Sequence, residues 1–285
     1  MHSHWALGAR YGSAGGAAPV RRRRKRCGPW IKSPAVGLLC LDDVVPLTLT
    51  TVTFPSFHPF AGQTGIVNGF AIRHPDGVVL VDTGIGEGNA FVDQSYQPQR
   101  RAIADELRAV ELSIGDVIAV VNGHLHFDNI GSNSLFPGVP IFVQQAEWDV
   151  ARAGGATYRQ DRVEFDVLDW VDFPGATYRR VDGEHEVVPG VRLVPTPGHT
   201  PGHQAVLIET DEGVVAIAGQ VPYDHVEWDW LRTEGSMLES ETGGSLQNVV
   251  VGDPETYLAS SIRLVELGPR HVHFTHDPVV WRQCD

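Results

Sequence analysis

From about residue 45 onward, the hydrophobic and polar positions follow two alternating periods. LTLTTVTF (47–54), IVNGFAIR (66–73) and GVVLVD (77–82) are rich in β-branched residues and predict strands. His74-Pro75-Asp76-Gly77 between the last two predicts a hairpin turn. Over 98–113, Ile103, Leu107 and Val110 recur at i, i+4 and i+7, which predicts a helix. VIAVVNGH (117–124) and PIFVQ (140–144) read as apolar strands, with a short helix around AEWDVARA. The second half repeats the plan. VRLVPTPGH (191–199) is a strand running into a turn, and AVLIET (204–209) and GVVAIAG (213–219) form a hairpin. Residues 254–267 are amphipathic with a helical period, and HVHFTH (271–276) is a last strand. The stretch 232–252 has no clear period and predicts a surface loop.

Strand pairs followed by helices therefore occur twice, and histidine-bearing turns sit at strand ends in both halves. This predicts an α/β protein of two similar halves, two sheets face to face with helices outside, and a site between the halves. Residues 36–285 are expected to form this single domain.

Charge separates residues 1–35 from the rest. They hold eight basic residues and no acidic one, including RRRRKR at 21–26, which leaves 14 basic against 35 acidic residues over 36–285. The segment is expected to be a disordered basic extension or translated sequence upstream of the true start. No apolar stretch with a cleavage site follows it, which argues against secretion. A body this acidic is expected to avoid nucleic acid and anionic membrane, and no run reaches the roughly 20 apolar residues of a bilayer span. Cys27, Cys40 and Cys284 are odd in number and far apart, with no C-x-x-C, so neither a disulfide framework nor a thiolate metal site is expected. A cytoplasmic location fits this best, and a homodimer is compatible with it.

The chemistry concentrates in NGHLHFDNIGSN (122–133). His124 and His126 lie two apart, so in an extended segment both point to one side and can chelate one ion. A catalytic zinc takes three protein ligands and keeps a position open. His199, in Pro197-Gly198-His199-Thr200-Pro201-Gly202-His203, is the best third ligand, whereas His203 reads as a structural turn residue. His225, Trp228 and Trp230 in PYDHVEWDWL line a pocket or pack in the ordinary way, and His58 has no assigned role.

Taken together, strand–HLHFD, strand–PTPGHTPGH, the late FTHDP and VDTGIG (81–86) resemble the metallo-β-lactamase fold hydrolases over roughly residues 45–278. HFDNIGSNSLFPGVPIFVQQAE (126–147) and Tyr223 resemble the N-acyl homoserine lactonase branch. The resemblance implies a four-layer αββα sandwich with two metal sites: His124, His126 and His199 at the first, and Asp128, residue 129, residue 220 and His276 at the second, with residue 220 bridging. His276 is preferred to His273 because Asp277-Pro278 follows it. Asp82 would lie behind the ligands and fix a histidine tautomer.

The sequence departs from that pattern at two positions, Asn129 where the family has His and Gln220 where it has Asp. A bridging carboxylate offers two anionic oxygens to two cations; an amide offers one neutral oxygen. Both changes fall on the second site. The expectation is a zinc-dependent hydrolase of a small-molecule lactone or ester using a metal-activated water, with one metal at the first site and Gln220 and Asn129 as weak or lost ligands. Asp128 would act as base, Tyr223 would steady the oxyanion and His276 would protonate the leaving group. The alternatives are a redox enzyme with a different metal on the same fold, or a catalytically silent binding protein.

Overall fold

The computed structural model describes residues 38–58, 60–153, 168–234 and 252–283. The basic extension, Cys27, Cys284 and residues 235–251 of the expected loop lie outside them.

Two sheets form the body. The first holds β1 (Val44–Thr53), β2 (Thr64–His74), β3 (Gly77–Val81), β4 (Gln99–Arg100), β5 (Val117–Val121), β6 (Pro140–Gln144) and β7 (Thr177–Val181), in the order β4-β1-β2-β3-β5-β6-β7. The second holds β8 (His185–Val188), β9 (Val191–Pro195), β10 (Gln204–Thr210), β11 (Gly213–Ile217), β12 (His271–Phe274) and β13 (Asp277–Arg282), in the order β13-β12-β11-β10-β9-β8. β2 and β3 close antiparallel over Pro75-Asp76, with His74 opposite Gly77 at φ 141°. β3, β5, β6 and β7 run parallel. The strands at the centre of that group are buried on both faces, which is why GVVLV and VIAVV are apolar throughout.

The inner faces meet in one core. Phe70, Ile72, Val79, Val81, Ala119 and Val121 of the first sheet pack against Val191, Leu193, Val206, Ile208, Val215 and Ile217 of the second. On the outside, Ile103 and Leu107 of α2 (Ile103–Ala109) cover the first sheet. Trp228 of α6 (His225–Glu234) and Leu264 of α7 (Pro254–Glu266) cover the second. The remaining helices are α1 (Ala90–Tyr96), α3 (Phe127–Ile130), α4 (Gln145–Ala153) and α5 (Leu168–Val171). This is the αββα sandwich.

Three local expectations are corrected. The helix expected over 98–113 is confined to 103–109, because Gln99 and Arg100 pair with Thr51 and Thr50 of β1. Residues 232–234 close α6 instead of opening a loop. Cys40 is disulfide-bonded, which cysteine spacing does not reveal. Among the described residues, no helix is long and apolar enough to cross a membrane.

Candidate metal centre

β5 ends at Val121 and the chain turns through Asn122–Leu125 into α3, whose N-cap is His126. The VDTG segment after β3 grips this turn at both ends. Gly123 N donates to Asp82 Oδ1 at 2.8 Å, and Thr83 N donates to Asn129 O at 2.7 Å. Asp82 holds the backbone before His124 from a left-handed conformation, φ 58°. Its Oδ2 is buried without a hydrogen-bond partner, and its Oδ1 grips the loop.

The second histidine turn follows β9. Gly198 has φ 136°, and a Cβ there would lie 2.2 Å from Tyr257 Cα, so only glycine lets the turn sit against α7. His203 is spent internally. Its Nδ1 lies 3.1 Å from Thr196 O, and its Nε2 accepts from Gln220 N at 3.1 Å. It is fully buried, which depresses its pKa to about 3.

These two turns bring His124, His126 and His199 together, with one ligand atom from each within 4.8 Å of the others. All three are buried. His199 Nε2 and His126 Nδ1 stand 3.1 Å apart. Two nitrogens on a tetrahedral zinc with bonds of about 2.0–2.1 Å would be about 3.3 Å apart. Burial pushes the pKa of His124 and His199 well below the ordinary range, and neighbouring histidines add to it. Both are therefore neutral imidazoles with a lone pair to give. The donor set fits one ion of the zinc type.

The second set is tied together by amide side chains. Gln220 Nε2 donates to Asp128 Oδ2 at 3.0 Å and stands 2.7 Å from His276 Nε2. Asn129 Nδ2 donates to Asp128 Oδ1 at 3.0 Å and lies 3.3 Å from His124 Nε2. Amide N–H groups thus occupy the acceptors that a second cation would need. Turning either amide over would place its oxygen against the Asp128 carboxylate, so the charge there sets the orientation. His276 Nδ1 is 2.9 Å from Ile66 O, to which it donates, so its Nε2 faces Asp128 Oδ2 at 3.1 Å and Gln220 together. Burial raises the Asp128 pKa, but the hydrogen bond and charge of His276 outweigh it and hold the carboxyl below its usual range. His273 lies apart, with its ring edge-on to Phe70.

Tyr223 stacks on the His276 ring at 5.0 Å, and Phe60 lies against Tyr223. Trp228 is core, packed on Phe274 and Trp281, and His225 is bound to Asp277, the neighbour of His276. Three residues to which the sequence reading gave no role here prove close to it. His58 stacks on Phe54, and burial together with His276 lowers its pKa to about 4. Glu147 is buried between the two histidine turns. Glu227 takes hydrogen bonds from Tyr223 N and Tyr257 Oη, and burial raises its pKa to about 7. The position of Glu147 just after a strand is the only sequence signal among the three.

The chain belongs to the metallo-beta-lactamase superfamily, which matches residues 62–276. Among its relatives is the N-acyl homoserine lactonase of Bacillus thuringiensis, 33% identical over 230 residues, a match covering 75% of this chain and 82% of that enzyme. The N-acyl homoserine lactonase AttM of Agrobacterium fabrum is 28% identical over 253 residues, 84% of this chain and 85% of AttM. The match to the Bacillus cereus N-acyl homoserine lactonase, at 33% identity, spans 54% of this chain and 63% of that enzyme's length. A solved N-acyl homoserine lactone hydrolase with N-hexanoyl-L-homoserine at its catalytic metal centre superposes with a TM-score of 0.60 at 27% identity, covering 82% of this chain and 92% of that one.

Proposed function

We propose that the protein is a metal-dependent hydrolase of a lactone or ester carbonyl, with one zinc at His124, His126 and His199. The observation that carries the reading is the contrast between the two halves of the centre. Three buried imidazoles converge on one point, while Gln220 and Asn129 fill the other half with amide N–H donors. The lactonase relatives support the substrate class.

A zinc held there supplies Lewis acidity, polarising a carbonyl and acidifying water. The protein's own groups do the rest. Asp128, kept ionised by His276, takes a proton from the attacking water. The proton taken from water passes from Asp128 to His276 Nε2, 3.1 Å away, and from there to the leaving alkoxide as the ester C–O bond breaks, with Ile66 O holding the ring through Nδ1. The Tyr223 hydroxyl donates to the developing oxyanion.

Metal analysis of protein purified without added metal, combined with assays on N-acyl homoserine lactones and simple esters, tests this. About one zinc per chain with lactone or ester hydrolysis supports it. Iron with oxygen-dependent turnover, or no metal and no hydrolysis, overturns it.

A further inference from the structure

We infer that Glu147 is a positioning residue that sets the spacing of the two histidine turns and thereby the affinity of the centre for its metal. The inference rests on the metal reading above and goes beyond it to a residue outside the ligand set. Glu147 sits at the start of α4 and is completely buried. Its Oε1 accepts from Leu125 N at 2.8 Å. Its Oε2 accepts from Thr200 Oγ1 at 2.7 Å and from Gly202 N at 3.0 Å. Leu125 is the residue between His124 and His126, and Thr200 directly follows His199. One carboxylate therefore bonds both ligand-bearing segments, one oxygen to each.

The packing is built around this grip. A Cβ on Gly202 would lie 2.1 Å from Glu147 N, so the turn presses directly on the backbone of α4. Other links between the segments fall elsewhere. Gln204 N donates to Gly123 O, and Gln204 Nε2 donates to Asn122 O, before His124 on one side and after His203 on the other. They fix where the turns start and finish. Glu147 fixes the backbone between and beside the imidazoles. An anion accepting from two backbone N–H groups and a hydroxyl makes short, directional bonds. A shift of either turn by a fraction of an ångström would spread three nitrogens that must converge on one ion, and groups of this kind behind metal ligands are worth roughly 10–100-fold in metal affinity.

Glu147→Gln keeps the shape but presents an NH2 to at least one of these donors. The test strips the full chain of metal, reloads it with zinc, and measures affinity by competition with a chromophoric chelator. The zinc dissociation constant of Glu147→Gln is expected to rise about 10–100-fold, while the melting temperature of the metal-free protein stays within a few degrees. Thr200→Val removes one of the three bonds without touching Glu147 and is expected to raise it about threefold or more. Zinc affinity unchanged within about twofold in both variants overturns the inference, as does a loss matched by an equal loss of stability in the metal-free form, which is what a purely structural tie would give. If Glu147→Gln does not fold, the Thr200→Val result alone decides. Unmodified protein that takes up no zinc overturns this inference and the proposed function together, whereas unmodified protein that binds zinc as tightly as the variants overturns this inference alone.

Discussion

The side-chain nitrogen of Gln220 lies 3.0 Å from Asp128 Oδ2. The same nitrogen is 2.7 Å from His276 Nε2. Two acceptors that suit a metal are joined by an amide donor. Restoring carboxylate and imidazole should therefore restore the second ion. Gln220→Asp combined with Asn129→His is expected to raise zinc content from about one to about two per chain, measured by elemental analysis. Gln220→Asp alone, held in chelator, sets a second carboxylate beside Asp128 and is expected to cost about 1–3 kcal/mol of stability. Two metals already present in the unmodified protein would sink this reading.

Glu227 gives a pH signature. Burial raises its pKa from an ordinary 4.5 to about 7, outweighing the hydrogen bonds that Tyr223 N and Tyr257 Oη give to Oε2, while Oε1 has no partner. The fold thus favours the protonated acid. That contribution is complete below pH 4.5, shrinks as pH rises and is gone above about pH 7. Measured against Glu227→Gln, the unmodified protein should lose about 3 kcal/mol of unfolding free energy across that window and then level off. A difference that does not change with pH would refute the buried acid. Equilibrium denaturation in urea at a series of pH values reads it directly.

Gly198 tests how closely the metal turn depends on α7. Ala at this position needs φ 136° and drives its Cβ to 2.2 Å from Tyr257 Cα. Backbone stands on both sides, so no side chain can yield. Gly198→Ala is expected to cost about 2–4 kcal/mol of stability. It should also weaken zinc binding, because His199 is the next residue. A variant as stable as the parent would show that α7 is free to move.

The sequence made the sandwich legible because its inner strands are apolar and chemically plain. β6 (PIFVQ) and the β10–β11 hairpin show their apolar runs with turn residues at the ends. β4, β7, β8 and β13 were missed for the opposite reason, β13 (DPVVWR) following the expected last strand and opening on Asp-Pro. β4 is two residues long, and TYRRV and HEVV carry charged or polar residues on partly exposed edges. The ligands His124, His126 and His199 announced themselves because metal chemistry restricts residue type and spacing. The expected roles of Asn129 and Gln220 as weak or lost ligands came from the same restriction. Their amides as donors to Asp128 did not, because donor direction depends on where Asp128 and His276 meet in space. Glu147 was hidden likewise, since a carboxylate in a helix ordinarily faces solvent and its partners lie 22 and 53 residues away.

Tyr223 separates a hydroxyl role from a ring role. Its ring stacks on His276 at 5.0 Å with 27° between planes, and Phe60 packs on it. Tyr223→Phe keeps that stack and removes only the hydroxyl. If the hydroxyl donates to the oxyanion, kcat should fall on the order of 10²-fold with KM little changed, because the bond strengthens only as charge develops. Tyr223→Ala removes the ring too, frees His276 to turn away from Asp128, and should lower kcat further. Activity that survives in Tyr223→Phe but collapses in Tyr223→Ala would assign the residue to holding His276, leaving the oxyanion to other donors. Steady-state kinetics on one lactone with both variants, each checked first for zinc content equal to the parent, decides between the two.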